Sequence, residues 1–244
     1  MKITSQDIQK LRQATGIGIL DCKKALLEAQ GDFEKAMEVL KQKGQHKAMQ
    51  RADKVTTEGI VCADVSADAT CGVMIALSCE TDFVAKNAAF QELAQQILAI
   101  ALTHTPPHSE GLIELAIGPR TIRDQITDMI AKMGEKIALT HYVTLLANRV
   151  IPYIHQGSRL GVLVGLQGSN ITQEVGLDIA MQIAAMQPTA VDTQPHTELE
   201  VPAKDTLLLH QPFIKDTSLS VAQYLAKVAP GLHIHNFHRI AVDA

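Results

Sequence analysis

Positive charge is in short supply: 22 Lys and Arg stand against 26 Asp and Glu, a formal net charge of −4 over 244 residues. A nucleic-acid binder normally carries a basic surplus to displace counterions from phosphates, so direct nucleic-acid recognition is disfavoured. Aromatic side chains make up 3% of the chain, with no Trp at all, which leaves few rings for a base-stacking platform. Long apolar runs are missing too. Stretches such as 97–102 and 160–166 fall far short of the roughly 20 residues that a membrane-spanning helix needs. The start, Met1-Lys2-Ile3-Thr4-Ser5, has neither an apolar signal core nor an Arg-rich transit pattern, so a cytoplasmic location is expected. Cys22, Cys62, Cys71 and Cys79 form no C-x-x-C and have no histidines at zinc spacing. Free, buried thiols in a reducing compartment are expected, with no metal and no cofactor.

What is present is ordinary globular material, 46% hydrophobic and 20% charged, enough for one large domain or two to three small ones. The first 50 residues read as three short amphipathic helices. Thr4 or Ser5 caps the first and Thr15-Gly16 ends it; the second begins near Leu20-Asp21, with Asp21 able to accept an orphan amide. Asp32 caps the third, which stops at Lys43-Gly44, and Gln45 to Lys54 reads as a charged linker with partial helical character.

Beyond residue 58 the period shortens. Gly59 to Val65 and Cys71 to Cys79 read as a hairpin, followed by helices near 88–102 and 121–133 and a strand from Ile137 to Ala147. The same order recurs in the second half: a hairpin of 151–154 and 159–166, helices at 173–186 and 220–228, and a strand at 233–242. Gly72-Val73-Met74-Ile75-Ala76-Leu77 aligns with Gly161-Val162-Leu163-Val164-Gly165-Leu166. The expected fold is α+β: a three-helix domain at 1–54, then duplicated subdomains at 55–148 and 149–244. Each subdomain is expected to hold a three-stranded antiparallel sheet with helices on one face.

Enzyme signatures are scarce. Gly16-Ile17-Gly18 lacks the later glycine and preceding strand of a dinucleotide loop, and no G-x-S-x-G or H-E-x-x-H occurs. Cys79 near Asp82 could be a thiol nucleophile awaiting a base, although packing is the plainer role for a Cys at a strand end. His233, His235 and His238 suggest a metal, but strand alternation sends His238 to the face opposite His233 and His235.

Cys79-Glu80-Thr81-Asp82-Phe83-Val84-Ala85-Lys86 is different in kind, because it lies between a strand end and a helix start. In one reading Asp82 is a helix cap and Phe83 a hydrophobic staple. In the other, Phe83 is a protruding aromatic anchor, flanked by a carboxylate, for a pocket on another protein.

Several motifs in order resemble the elongation factor Ts family, guanine-nucleotide exchange factors for elongation factor Tu. Thr15-Gly16-Ile17-Gly18-Ile19-Leu20-Asp21-Cys22-Lys23-Lys24-Ala25-Leu26, with Gly31-Asp32-Phe33-Glu34-Lys35-Ala36, resembles the family's ubiquitin-associated-like amino-terminal domain. Thr81-Asp82-Phe83-Val84 matches its most characteristic motif. Met133-Gly134-Glu135-Lys136-Ile137 is similar to its I-G-E-N-I stretch, and 155–164 to its carboxy-terminal hairpin; 178–186 and Gln211-Pro212-Phe213-Ile214 complete the series.

The resemblance implies a non-enzymatic translation factor that releases GDP from elongation factor Tu by displacing Mg²⁺ and the phosphate-site helices. No direct nucleic-acid or membrane contact is implied, and both 1:1 and 2:2 complexes stay open. It implies that Thr81, Asp82, Phe83 and Val84 act at the Mg²⁺ and phosphate site. Ile19, Leu20, Lys23, Met133, Gly134, Ile214 and Lys215 would serve as further partner contacts. His155 and Gln156 would hold the partner's β-barrel domain. Four departures stand out. The stretch 187–210 is too polar and Pro-broken for the helical hairpin that many members insert there, and the extra carboxy-terminal helix of some members is not expected. Gln182 stands where the family often has His, and Met133 and Lys136 vary the I-G-E-N-I pattern. An adaptor that recruits some other partner through residues 1–50 is the alternative function.

Overall fold

The three amino-terminal helices follow from local caps. A computed structural model describes residues 3–192 and 206–242. Helix α1 (Ser5–Thr15) starts at Thr4, whose hydroxyl accepts the Asp7 amide while the Asp7 carboxylate accepts the Thr4 amide, a reciprocal capping box. It ends where Gly16 adopts the left-handed conformation at φ 68°, which glycine enters without a Cβ clash. Helix α2 (Ile19–Glu28) starts at Gly18 without any side-chain cap. The expected capping role of Asp21 therefore fails: it lies within the first turn and pairs with Lys47 at 3.5 Å. Helix α3 (Phe33–Gln50) is capped by Asp32, as expected, but does not stop at Gly44.

That overrun has a packing cause. Gly44 is buried against helix α7 (Ile122–Met133), and a Cβ placed on it would lie 3.0 Å from Ala131 Cβ. The glycine is there for close helix approach, so the chain stays helical across most of the expected linker. Leu11, Cys22, Leu26, Ala36 and Leu40 form the buried centre of this helical region, with Ala131 among them.

Strands β1 (Glu58–Val65) and β2 (Cys71–Cys79) form the first hairpin, followed by the short helix α4 (Asp82–Ala85) and helix α5 (Ala88–His104). Between α5 and α7 lie elements with no clear sequence signal: helix α6 (Ser109–Ile113) and the two-residue strands β3 (Ala116–Ile117) and β4 (Arg120–Thr121). Strand β5 (Ile137–Leu146) completes a sheet in the order β1-β2-β5.

The second sheet repeats the plan. Strands β6 (Arg149–Ile154) and β7 (Leu160–Gly168) pair antiparallel, and after helix α8 (Gln173–Met186) the chain reaches strands β8 (Pro212–Phe213) and β9 (Asp216–Ser220). Helix α9 (Val221–Val228) and strand β10 (Leu232–Ala241) follow, giving the order β10-β7-β6. The fold is α+β, as read from the sequence. Of the stretch 187–210, residues 193–205 lie outside the described residues.

By compactness the chain divides into two units. One contains Met1–Gly59, Ser78–Leu93 and Ile113–Ala138; the other contains Ile60–Leu77, Ala94–Leu112 and Leu139–Ala244. Within the second, β7 is buried on both faces. Val162, Val164 and Leu166 join α8 and α9 in one core, while Leu163 joins Val61, Met74, Leu145 and Val150 in another. Helices thus cover one face of the second sheet, and side chains of the first sheet meet the other.

Strand β10 corrects the expected histidine geometry. Its register against β7 slips between Ile234 and Asn236, so His233 opposes Gln167 and His238 opposes Leu163. Gln167 and Leu163 are four apart on one strand, so His233 and His238 share a face. The bulge at His235 reverses the alternation on which the sequence reading relied. Among the described residues, no group of three or more His, Cys, Asp or Glu could hold a metal ion.

Candidate protein-binding site

Phe83 is 82% exposed, the most exposed large hydrophobic side chain among the described residues. It sits on α4, a single turn too short to persist on its own. The turn closes through Ala85 and Lys86 amides donating to the Thr81 and Asp82 carbonyls, and Val84 and Ala85 are buried beneath it. Neither expected local role holds. Thr81, not Asp82, occupies the cap position, and Phe83 points to solvent instead of stapling the next helix.

Thr81 caps nothing with its side chain. Its hydroxyl donates to Glu135 Oε1 at 2.7 Å, and its backbone N–H donates to Glu135 Oε2 at 3.0 Å. Its carbonyl also accepts the Cys79 thiol at 3.2 Å. Next to it, Glu80 accepts from Lys136 N–H at 2.5 Å and from Arg51 Nη1 at 2.7 and 2.9 Å. Burial alone would raise the Glu80 carboxyl, but these donors outweigh it and hold it below the ordinary carboxylate range. Asp82 is half-buried and bonded to Lys86 Nζ at 2.6 Å, a contact that lowers its pKa.

Cys79 is unsuited to nucleophilic chemistry. Burial, reinforced by the Glu135 charge, pushes its thiol up to about 12. At neutral pH it is a protonated packing group, since only the thiolate attacks. All four cysteines are free; Cys22, Cys62 and Cys79 are buried and Cys71 is half-buried.

Of the other sequence-predicted residues, Met133 and Gly134 end α7 directly before Glu135, so the structure brings this motif to Thr81. Gly134 is the left-handed cap at φ 77°, with open space where a Cβ would stand. On α2, Ile19 and Leu20 are 53% and 72% exposed, Lys23 is exposed, and Leu27, not singled out from sequence, adds a further exposed apolar side chain. A cavity of about 380 Å³ between α2 and α3 is lined by Ile17, Val39 and Leu40, and none of the predicted residues lines it.

The remaining predicted residues belong to the other unit. His155 and Gln156 are exposed in the β6–β7 turn, where the Tyr153 hydroxyl lies 2.8 Å from His155 Nδ1. Ile214 is partly exposed and donates its amide to Gln182 Oε1 at 2.8 Å. Lys215 Nζ is bonded to Asp178 Oδ1 at 2.5 Å, while the Tyr224 hydroxyl donates to Asp178 Oδ2 at 2.6 Å. Burial, with Asp178 as acceptor, raises the Tyr224 phenol. Sequence reasoning gave no role to Asp178, Tyr224, Glu80, Arg51 or Glu135. Glu80 and Glu135 adjoin or lie inside the motifs that drew attention, and that position is the one signal that could have found them.

This arrangement presents an anchored aromatic tip and an apolar-and-lysine helix face, features of a protein-binding surface. No helix among the described residues is long and apolar enough to cross a membrane. The sequence model described as Elongation factor TS matches residues 80–203. A protein named Elongation factor Ts from Amoebophilus asiaticus (strain 5a2) is 48% identical over 277 aligned positions, covering 100% of both chains. Proteins of the same name from Cytophaga hutchinsonii and Porphyromonas gingivalis (strain W83) are each 39% identical, covering 99% and 100% of both chains respectively. The chain belongs to the elongation factor Ts family.

Proposed function

We propose that this chain acts in the cytoplasm as a guanine-nucleotide exchange factor in translation elongation, binding elongation factor Tu in its GDP-bound and nucleotide-free forms. The observation that carries the reading is the exposure of Phe83 on a turn whose neighbours Val84 and Ala85 are buried. An exposed ring on a fixed support fills a partner's pocket with little ordering cost.

Nucleoside diphosphates are held by backbone amides and by a Mg²⁺ that bridges phosphate oxygens. A ring wedged among the helices that carry those groups shifts them. Nucleotide and exchange factor then weaken each other's binding by the same factor, as linkage requires. In this reading Asp82 and Phe83 act at the phosphate and Mg²⁺ site, with Thr81 and Val84 supporting them and Met133 and Gly134 adjoining. Ile19, Leu20 and Lys23 of the helical region at 1–54 grip the partner's nucleotide-binding domain, assisted by Ile214 and Lys215. His155 and Gln156, in the half at 149–244, hold its β-barrel domain. No covalent bond is made or broken by this protein.

Release of fluorescent GDP from elongation factor Tu, with and without the protein, tests the reading directly. Acceleration by the wild-type chain and its loss in Phe83→Ala, at unchanged thermal unfolding, is the expected result. Equal release by both proteins would remove Phe83 from the site.

A further inference from the structure

Four residues from two distant stretches pair reciprocally beneath the Phe83 turn. Thr81 donates its amide and its hydroxyl to Glu135, and Lys136 donates its amide to Glu80. Neighbours 80 and 81 are thus tied to neighbours 135 and 136, each pair through one carboxylate. A third stretch joins the knot. Arg51 bonds Glu80, and Lys136 Nζ donates to the carbonyls of Ala52 and Lys54 at 2.6 and 2.8 Å. These residues directly follow α3, the helix packed on α7 through Gly44 and Ala131.

We propose that Glu135 is the positioning residue of the exchange site, seating the Thr81–Phe83 turn through its two hydrogen bonds to Thr81, with Lys136, Glu80 and Arg51 tying that seat to the end of α3. The proposal rests on the reading of Phe83 as the group that drives GDP release.

The physical need for such a seat is specific. A one-turn helix supplies almost no stability of its own, and the Phe83 ring gains nothing from burial in the free chain. Thr81 begins the turn, and all its polar groups are engaged: amide and hydroxyl to Glu135, carbonyl to the Ala85 amide and the Cys79 thiol. A carboxylate accepting two hydrogen bonds fixes both the position and the orientation of the residue that donates them. Freed from Glu135, the turn would fray, and binding energy would go to ordering Phe83 instead of distorting the partner. Glu135 thus acts through Thr81 and Phe83, without touching the nucleotide.

Three variants separate a seat from general stability: Glu135→Gln, Thr81→Val, which keeps shape but loses the hydroxyl, and Thr81→Ser, which keeps the hydroxyl. The catalysed GDP-release rate of elongation factor Tu is measured against concentration of the variant, with Phe83→Ala as control. Glu135→Gln and Thr81→Val should lower the saturating rate by about tenfold, with about twofold or less change in half-saturating concentration, and Thr81→Ser should restore it. Hydrogen exchange should quicken at Ala85 and Lys86 in both slow variants while α7 stays protected. If Phe83→Ala slows release and Glu135→Gln and Thr81→Val do not, the seat is refuted and the Phe83 reading stands. Slowing that comes only from a raised half-saturating concentration, or with lost protection throughout α7, also refutes it. If Phe83→Ala has no effect, both fall.

Discussion

Val61 donates its amide to the carbonyl of Ser158 at 2.6 Å, and the same bond is made a second time, from Val150 to Ala69 at 2.7 Å. The offset that carries Val61 to Val150 also carries Ala69 to Ser158 and Gly72 to Gly161. Ala69 and Ser158 share the left-handed conformation at φ 56°, each at the turn of its own hairpin. The two hairpins therefore exchange equivalent contacts. Repetition of both geometry and sequence pattern is what a duplicated unit would leave.

The glycines of that repeat carry the first prediction. A Cβ on Gly161 would lie 2.6 Å from Val61 Cγ1, and one on Gly72 would lie 2.5 Å from Val150 Cγ1. Gly161→Ala and Gly72→Ala should each cost about 2–3 kcal/mol and lower the melting temperature by roughly 4–12 °C. Gly111→Ala, which meets only Pro106 at 3.5 Å, should be neutral or mildly stabilising. Combining Gly72→Ala with Val150→Ala should cost less than the sum of the two, and strict additivity in thermal unfolding would show that the contact is not the cause.

Local chemistry was legible in the sequence, and tertiary context was not. Thr4 and Asp32 announced their helices because a cap needs only a side-chain oxygen and the next three residues. Gly44 and Asp21 misled for the converse reason: what each does is set by a residue far along the chain, Ala131 in one case and Lys47 in the other. The bulge at His235 leaves no local mark, so plain alternation along β10 assigns His238 to the wrong face. At the candidate site, the Phe83 motif stood out through the scarcity of rings. The Glu135 carboxylate beneath it looked like one acidic residue among 26 Asp and Glu.

Gln182 supports a second prediction. It is fully buried in α8; its amide donates to Gln211 Oε1 at 3.2 Å and to the Pro212 carbonyl at 3.1 Å, and its oxygen accepts the Ile214 amide. One side chain thereby holds the Gln211-Pro212-Phe213-Ile214 segment to the helix. Gln182→Leu leaves those partners without their hydrogen bonds and should cost about 2–4 kcal/mol. Thermal unfolding reads the cost, and faster hydrogen exchange at Ile214 localises it. Unchanged exchange there would mean that the segment is held by the Phe213–Tyr224 stack, whose centroids lie 3.9 Å apart, instead.

Thiol labelling tests the exclusion of cysteine chemistry. With its pKa pushed up to about 12, Cys79 holds far less than about one part in a thousand of thiolate at pH 7.5. Burial likewise raises Cys62 to about 11, and burial with the Asp68 charge raises Cys71. Mild iodoacetamide treatment of the folded protein should leave Cys79 unmodified, whereas treatment in guanidinium should modify all four cysteines. Preferential modification of Cys79 in the native state would revive a thiol-dependent activity.

Asp82 and Lys86 form an ion pair on either side of Phe83. Their contact spans one helical turn, with Lys86 largely and Asp82 partly in solvent, so it contributes little to folding and is screened by salt. Lys86→Ala should therefore leave the melting temperature essentially unchanged. The Lys86 hydrogen bond holds the Asp82 carboxyl below its ordinary value. The stabilisation it gives is present above the unfolded carboxylate pKa and is lost only as pH falls through the lower, folded value. Between about pH 5.5 and 8, then, Asp82 stays fully ionised and adds no step to the pH profile of GDP release. Asp82→Asn should slow release by a constant factor across that window, because it removes a charge that does not titrate there. A ratio of variant to wild-type rates that changes with pH would mean that Asp82 is protonated in the complex, and that Lys86 releases it when the partner binds.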